Sequence, residues 1–165
     1  MNNEKVAFLF PGQASQTPGM GLDLYKNSVA AREVFHEADD ILGRKLSTVI
    51  FEGSKEELTR TENAQPSIAT VSIAAWRAIE SEMGTIQIPN FTAGHSLGEY
   101  SSLATAGSLS IKDTIDLVSK RGELMEKAIM PLEECLQSLV LMQLQSKKYV
   151  KKLVHTYLIS TPLIK

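Results

Sequence analysis

Phe91-Thr92-Ala93-Gly94-His95-Ser96-Leu97-Gly98-Glu99-Tyr100 is the stretch from which the rest of the chain is read. Gly94, Ser96 and Gly98 stand in G-x-S-x-G spacing, the pattern of a nucleophile elbow: a serine aimed outward from a sharp strand-to-helix turn. The backbone approaches itself closely in such a turn. Residues two before and two after the serine must therefore be small, or their Cβ atoms collide with the neighbouring strand and helix. The turn also puts Ser96 at a helix N-terminus, where the N–H of Leu97 is free to donate to an oxyanion and the helix dipole favours negative charge. Residues 90–93 are read as the strand end and 97–104 as the helix. The competing reading is a serine in a solvent-exposed loop.

The length suits one domain of 165 residues, and 43% hydrophobic and 22% charged side chains are ordinary for a soluble globular protein. A formal charge of −2, with no dense run of Lys and Arg, argues against a nucleic-acid groove. The single cysteine, Cys135, excludes an internal disulfide framework and fits a reducing, cytoplasmic setting. Residues 6–10 are apolar but too short for a signal-peptide core, and no run reaches transmembrane length. No metal-binding constellation and no cofactor motif are read from the sequence.

Ahead of the elbow, residues 5–10 form a continuous apolar run closed by Pro11-Gly12, as in a parallel strand buried on both faces. The Gly-rich loop that follows, residues 12–21, sits where open α/β sheets bind ligands, beyond the carboxyl end of a strand. Most loops of this composition are plain connections. One helix is expected over residues 22–42, with Val34, Phe35, Ala38, Ile41 and Leu42 on its apolar face and Gly43 as its stop. Residues 46–51 are ambiguous between strand and helix. Ser54 and Glu57 have capping-box spacing. Asn63-Ala64-Gln65-Pro66 is expected to open a longer helix, with Pro66 in its first turn and Gly84 as its stop; Asn63 and Gln65 there are read as boundary residues.

Beyond the elbow, Gly107 ends the nucleophile helix and Ser110 with Asp113 caps another. At about 100° per residue, Leu117, Val118, Leu124, Met125 and Ala128 gather on one side of that helix. Arg121 projects from the middle of this apolar face. A guanidinium there has to be paired, snorkel to water or await an anionic ligand. A structural pairing, with Glu99 as one candidate, and a carboxylate site both fit, because arginine holds a carboxylate by two parallel hydrogen bonds.

Four motifs now follow one another in order: residues 8–13 (Phe-Leu-Phe-Pro-Gly-Gln), 63–67 (Asn-Ala-Gln-Pro-Ser), 94–100 and 120–125 (Lys-Arg-Gly-Glu-Leu-Met). Together they resemble the malonyl-CoA:acyl carrier protein transacylase family, acyltransferases of fatty-acid and polyketide synthesis. The resemblance covers about residues 5–127, the N-terminal part only. It implies an α/β-hydrolase-like acyltransferase core, incomplete here, with a parallel-rich sheet flanked by helices. It implies Ser96 as the nucleophile, the N–H groups of Gln13 and Leu97 as oxyanion hole, and Arg121 as the site for the malonyl carboxylate. It further implies malonyl-CoA as substrate, acyl carrier protein as partner, and no cofactor, nucleic acid or membrane. His95 belongs to the elbow motif and is read as packing, since a side chain adjacent to the nucleophile points away from it.

In the family a later segment carries the catalytic histidine and the glutamine that orients it. Here no family motif is recognised after about Ala128. Residues 1–128 are read as the N-terminal part of the large subdomain, and 129–165 as a non-family tail. That tail holds five Lys against Glu133 and Glu134, a net charge of +3, whereas the first 128 residues carry −5. A shifted reading frame explains such a change, as does a divergent ending. His155 is the tail's only histidine and stands in no motif. Two other function classes are kept beside malonyl transfer: a serine hydrolase or thioesterase with the same elbow, and a non-catalytic product. Arg121 speaks against the hydrolase, which has no use for a carboxylate clamp.

Overall fold

Two parallel strands and seven helices are seen in the computed structural model, which describes residues 5–83 and 89–128. In order they are β1 (Ala7–Phe10), α1 (Leu22–Asn27), α2 (Val29–Leu42), α3 (Leu46–Glu52), α4 (Lys55–Thr59), α5 (Thr61–Glu82), β2 (Phe91–Gly94), α6 (Gly98–Thr105) and α7 (Ile111–Lys127). The chain divides after Lys127 into two units, and all of the second except Ala128 lies outside the described residues, as do Gly84 and His155.

The strands pair in parallel, Ala7 opposite Phe91 through Phe10 opposite Gly94. Their side chains alternate as the period of two requires. Phe8, Phe10 and Thr92 turn toward the protein, whereas Ala7, Leu9, Phe91 and Ala93 are exposed. Burial of β1 on both faces is therefore corrected. Among the described residues helices cover one face of the sheet only, and the apolar run presents its other face to solvent.

The core gathers on the helical side. Ala31, Val34, Phe35 and Ala38 of α2 pack with Leu46 and Ile50 of α3, Ile73 and Ala74 of α5, and Ile115 and Val118 of α7. Phe35 anchors an aromatic group, its ring 5.7 Å from Tyr25 and 5.0 Å from Phe51. Residues 46–51, which pattern left open, are helical.

The single helix expected over 22–42 is broken at Ser28. Its backbone is extended there, and its hydroxyl accepts the Ala31 N–H as the N-cap of α2. Gly43 ends α2 in the left-handed conformation, as anticipated. Ser54 and Ser110 cap α4 and α7 by accepting the N–H groups of Glu57 and Asp113.

Pro66 is not in a first turn. The longer helix, α5, starts at Thr61, so the proline lies inside it and the Glu62 carbonyl loses its usual donor. Arg44 supplies one: Nη2 reaches the Glu62 carbonyl at 3.4 Å while Nη1 donates to Asn63 Oδ1 at 2.9 Å. The start of α5 needs help as well, since Arg60 gives it no side-chain cap. Glu126, from the last turn of α7, accepts the Thr61 N–H at 2.6 Å.

The buried face of α7 is also rotated from the expectation. Thr114, Ile115, Val118, Ser119 and Gly122 are the residues that bury, and the helix packs most closely on α5. Leu117, Leu124 and Met125 are about half exposed. The close approach of the two helices sets this face at Gly122, where a Cβ would stand 2.7 Å from the Thr61 carbonyl oxygen.

Candidate functional site

Ser96 sits in the turn between β2 and α6, with a left-handed backbone, φ 56°. Among described residues other than glycine only Ala14, φ 81°, shares that conformation, and it lies in the loop leaving β1. Both exits from the sheet thus hold a backbone that costs on the order of 1–3 kcal/mol.

The glycines explain why the turn can close. A Cβ on Gly94 would lie 2.0 Å from the Gly98 carbonyl carbon, at the first turn of α6. On Gly98 it would lie 2.4 Å from the Phe10 carbonyl oxygen, at the end of β1. The collision expected on each side of the serine is therefore present, with the helix from one glycine and the strand from the other. The His95 N–H donates to the Phe10 carbonyl at 3.1 Å, tying the turn to β1.

The loop after β1 lies beside this turn. Gly12 is packed by the His95 ring, so closely that a Cβ there would be 2.4 Å from Nδ1. Ser15 Oγ donates to the Gly12 carbonyl, and the Ala14 N–H donates to Gln16 Oε1. Gln13 is exposed, and its Nε2 donates to Thr61 Oγ1 at 3.4 Å. The backbone N–H groups of Gln13 and Leu97 make no hydrogen bond among the described residues, although Leu97 is fully buried.

Arg121 comes from the edge of the buried face of α7. Its Nη2 donates to Ser96 Oγ at 3.0 Å and its Nη1 to Gln65 Oε1 at 2.6 Å. It makes no ion pair among the described residues, and the suggested partner Glu99 is instead exposed in the first turn of α6. Ser96, Arg121 and the Gln13 loop thus form one neighbourhood.

Sequence reasoning missed Gln65. It was read as a boundary residue, yet it lies inside α5, fully buried, with Nε2 donating to Met125 Sδ at 3.2 Å. Its motif was noticed, but nothing local announces that its partner stands on another helix. Asn63 is buried too and links Arg44 to the Glu57 carbonyl.

Chemically, the arrangement offers a hydroxyl oxygen that accepts from a guanidinium, with unbonded N–H groups nearby. The described histidines do not serve that hydroxyl. His36 pairs with Tyr25 at 3.1 Å, and His95 leans on Gly12. Among the described residues no cluster of His, Cys, Asp or Glu is suited to a metal, and no helix is long and apolar enough to cross a membrane.

The acyl transferase domain family matches residues 7–160, running past residue 128 into the stretch where no motif had been recognised. A malonyl CoA-acyl carrier protein transacylase of Bacillus subtilis (strain 168) is 50% identical over 146 residues, covering 88% of this chain and 45% of the relative. The crystal structure of an acyl-carrier-protein-S-malonyltransferase from Bartonella henselae superposes with a TM-score of 0.73 at 48% identity, covering 77% of this chain and 41% of that one. A malonyl-transacylase solved in complex with its type II PKS acyl-carrier protein gives 0.71 at 42% identity, covering 77% and 40%. The chain thus spans under half the length of these relatives.

Proposed function

The chain belongs to the acyl transferase domain family, and from that premise we propose that it takes a malonyl group from malonyl-CoA onto Ser96 and passes it to acyl carrier protein. The observation that carries the reading is the 3.0 Å contact between Arg121 and Ser96, made by a guanidinium with no carboxylate partner among the described residues. A cation held beside a nucleophile suits a substrate with a free carboxylate close to its reacting carbonyl.

In this reading the turn at Ser96 is a nucleophile elbow. Ser96 Oγ bonds to the thioester carbonyl carbon, the C–S bond breaks, and coenzyme A leaves as its thiol. The oxyanion formed on the way is met by the N–H groups of Gln13 and Leu97. The thiol of the carrier's phosphopantetheine arm then attacks the Ser96 ester and takes the acyl group. The chain works without cofactor, in the cytoplasm, within fatty-acid or polyketide synthesis. Arg121 favours this over hydrolysis of neutral esters.

The Ser96 proton needs a base, and the described residues offer none. A general base is typically worth about 10²–10⁴ in rate. The isolated 165-residue chain is therefore expected to move malonyl from malonyl-CoA to acyl carrier protein slower than the Bacillus relative by roughly that factor. Ser96→Ala should abolish what remains. Transfer at the relative's rate, lost in both Ser96→Ala and His155→Ala, would overturn the missing-base reading and make His155 the base. Arg121→Ala should cost malonyl transfer about 2–5 kcal/mol and acetyl transfer far less, since acetyl has no carboxylate to lose. Equal losses would make Arg121 structural.

For residues 129–165 both readings are kept, a shifted frame and a divergent ending. Translating the gene past codon 128 in the other two frames decides between them, because recognisable family sequence there would mean a shifted frame.

A further inference from the structure

Arg121 uses both terminal nitrogens, Nη1 on Gln65 and Nη2 on Ser96, while its Nε–H has no acceptor among the described residues. A guanidinium offers a carboxylate two paired edges, an end-on edge made of Nη1 and Nη2 and a side-on edge made of Nε and Nη2. We infer that Gln65 is a positioning residue: it occupies Nη1, closes the end-on edge, and leaves the side-on edge beside Ser96 to receive a substrate carboxylate. The inference rests on the reading of Arg121 as a carboxylate site.

Gln65 is suited to this in three ways. It is fully buried in α5, so its amide has no water to trade for the guanidinium. Its orientation is set by chemistry, because arginine only donates and the amide oxygen has to face it. The other end of the amide is taken up by Met125 Sδ at 3.2 Å. Flipping the amide would aim two donors at a cation and lose both bonds.

The edge left open is the one that malonyl geometry calls for. One methylene separates its carboxylate carbon from the thioester carbonyl that serine attacks. The bound carboxylate must therefore border the nucleophile, and Nη2 already does, at 3.0 Å from Ser96 Oγ. A carboxylate arriving on Nε and Nη2 takes over the Nη2 donor and releases the hydroxyl without disturbing the bond to Gln65.

The test uses free malonate as probe and the whole 165-residue chain, with the arginine side chains labelled with ¹⁵N. Malonate should shift the Nε–H resonance of Arg121 and leave Arg121→Ala unresponsive. Gln65→Glu, nearly the same shape, would neutralise the guanidinium and should weaken malonate binding roughly tenfold or more with an unchanged thermal midpoint. Gln65→Met, which removes the acceptor, should lose the Nε–H response because the end-on edge is freed. Malonate binding with Nε–H unmoved in the wild-type chain, or Gln65→Glu binding as wild type does, overturns the role of Gln65 alone. No malonate binding by the wild-type chain, or equal binding by Arg121→Ala, overturns the carboxylate reading of Arg121 and this inference with it.

Discussion

Where α5 meets α7, Gly122 lets the helices touch, Ile73, Ile115 and Val118 are fully buried nearby, and Glu126 closes the first turn of α5. Where β1 meets β2, Leu9 and Phe91 stand 77% and 61% exposed on the outward face. The candidate site lies across both regions. Arg121 and Gln65 come from the closed helical side, and Ser96 and the Gln13 loop from the half-covered sheet. On the helical side packing sets positions through buried side chains. At the sheet the turn is shaped chiefly by backbone against backbone, at Gly94 and Gly98.

If that contrast is right, a core truncation on the helical side should do the most harm. Phe35→Ala removes a fully buried ring and is expected to cost about 3–5 kcal/mol in urea unfolding. A loss below 1 kcal/mol would mean that the helical side is not the core. Next comes Gly98→Ala, whose methyl meets the carbonyls of Phe10 and Pro11 and cannot be accommodated by turning a side chain. About 1–3 kcal/mol is expected, together with movement of the turn relative to β1, visible as shifted His95 and Ser96 amide resonances. An unperturbed spectrum would show the turn to be less tightly set than its glycines imply. The smallest effect belongs to the outward sheet face. Leu9→Thr should change stability by no more than about 0.5 kcal/mol, because little burial is lost. A larger loss would show that this face is covered in solution.

The same contrast explains what could be read from the sequence. The G-x-S-x-G turn was legible because its constraint is local: the collisions involve residues four apart or the neighbouring strand. The caps at Ser54 and Ser110 were legible for the same reason. Ser28 was not, since the helical pattern continues across it and only its own hydroxyl marks the break. The face of α7 was misread because counting apolar residues favours Leu117, Leu124 and Met125. Close approach to α5 selects Gly122 for its lack of a side chain, and the face around it buries Thr114, Ile115, Val118 and Ser119 instead. Arg121 drew notice as a charge in an apolar stripe, but its partner could not be named. Gln65 lies 56 residues away and looks like any glutamine until the helices are brought together.

The Leu97 amide carries a consequence that solvent exchange can reveal. It is fully buried yet has no acceptor among the described residues. Such a group is an unspent donor, raising the energy of the empty protein by about 1–3 kcal/mol until an oxygen arrives. With no hydrogen bond to break, its deuterium uptake is slowed by burial alone. It should therefore exchange earlier than the bonded amides of Gly98 and Tyr100 around it. Any ligand that places an oxygen there lengthens the lifetime of that one proton, so the amide itself reports occupancy.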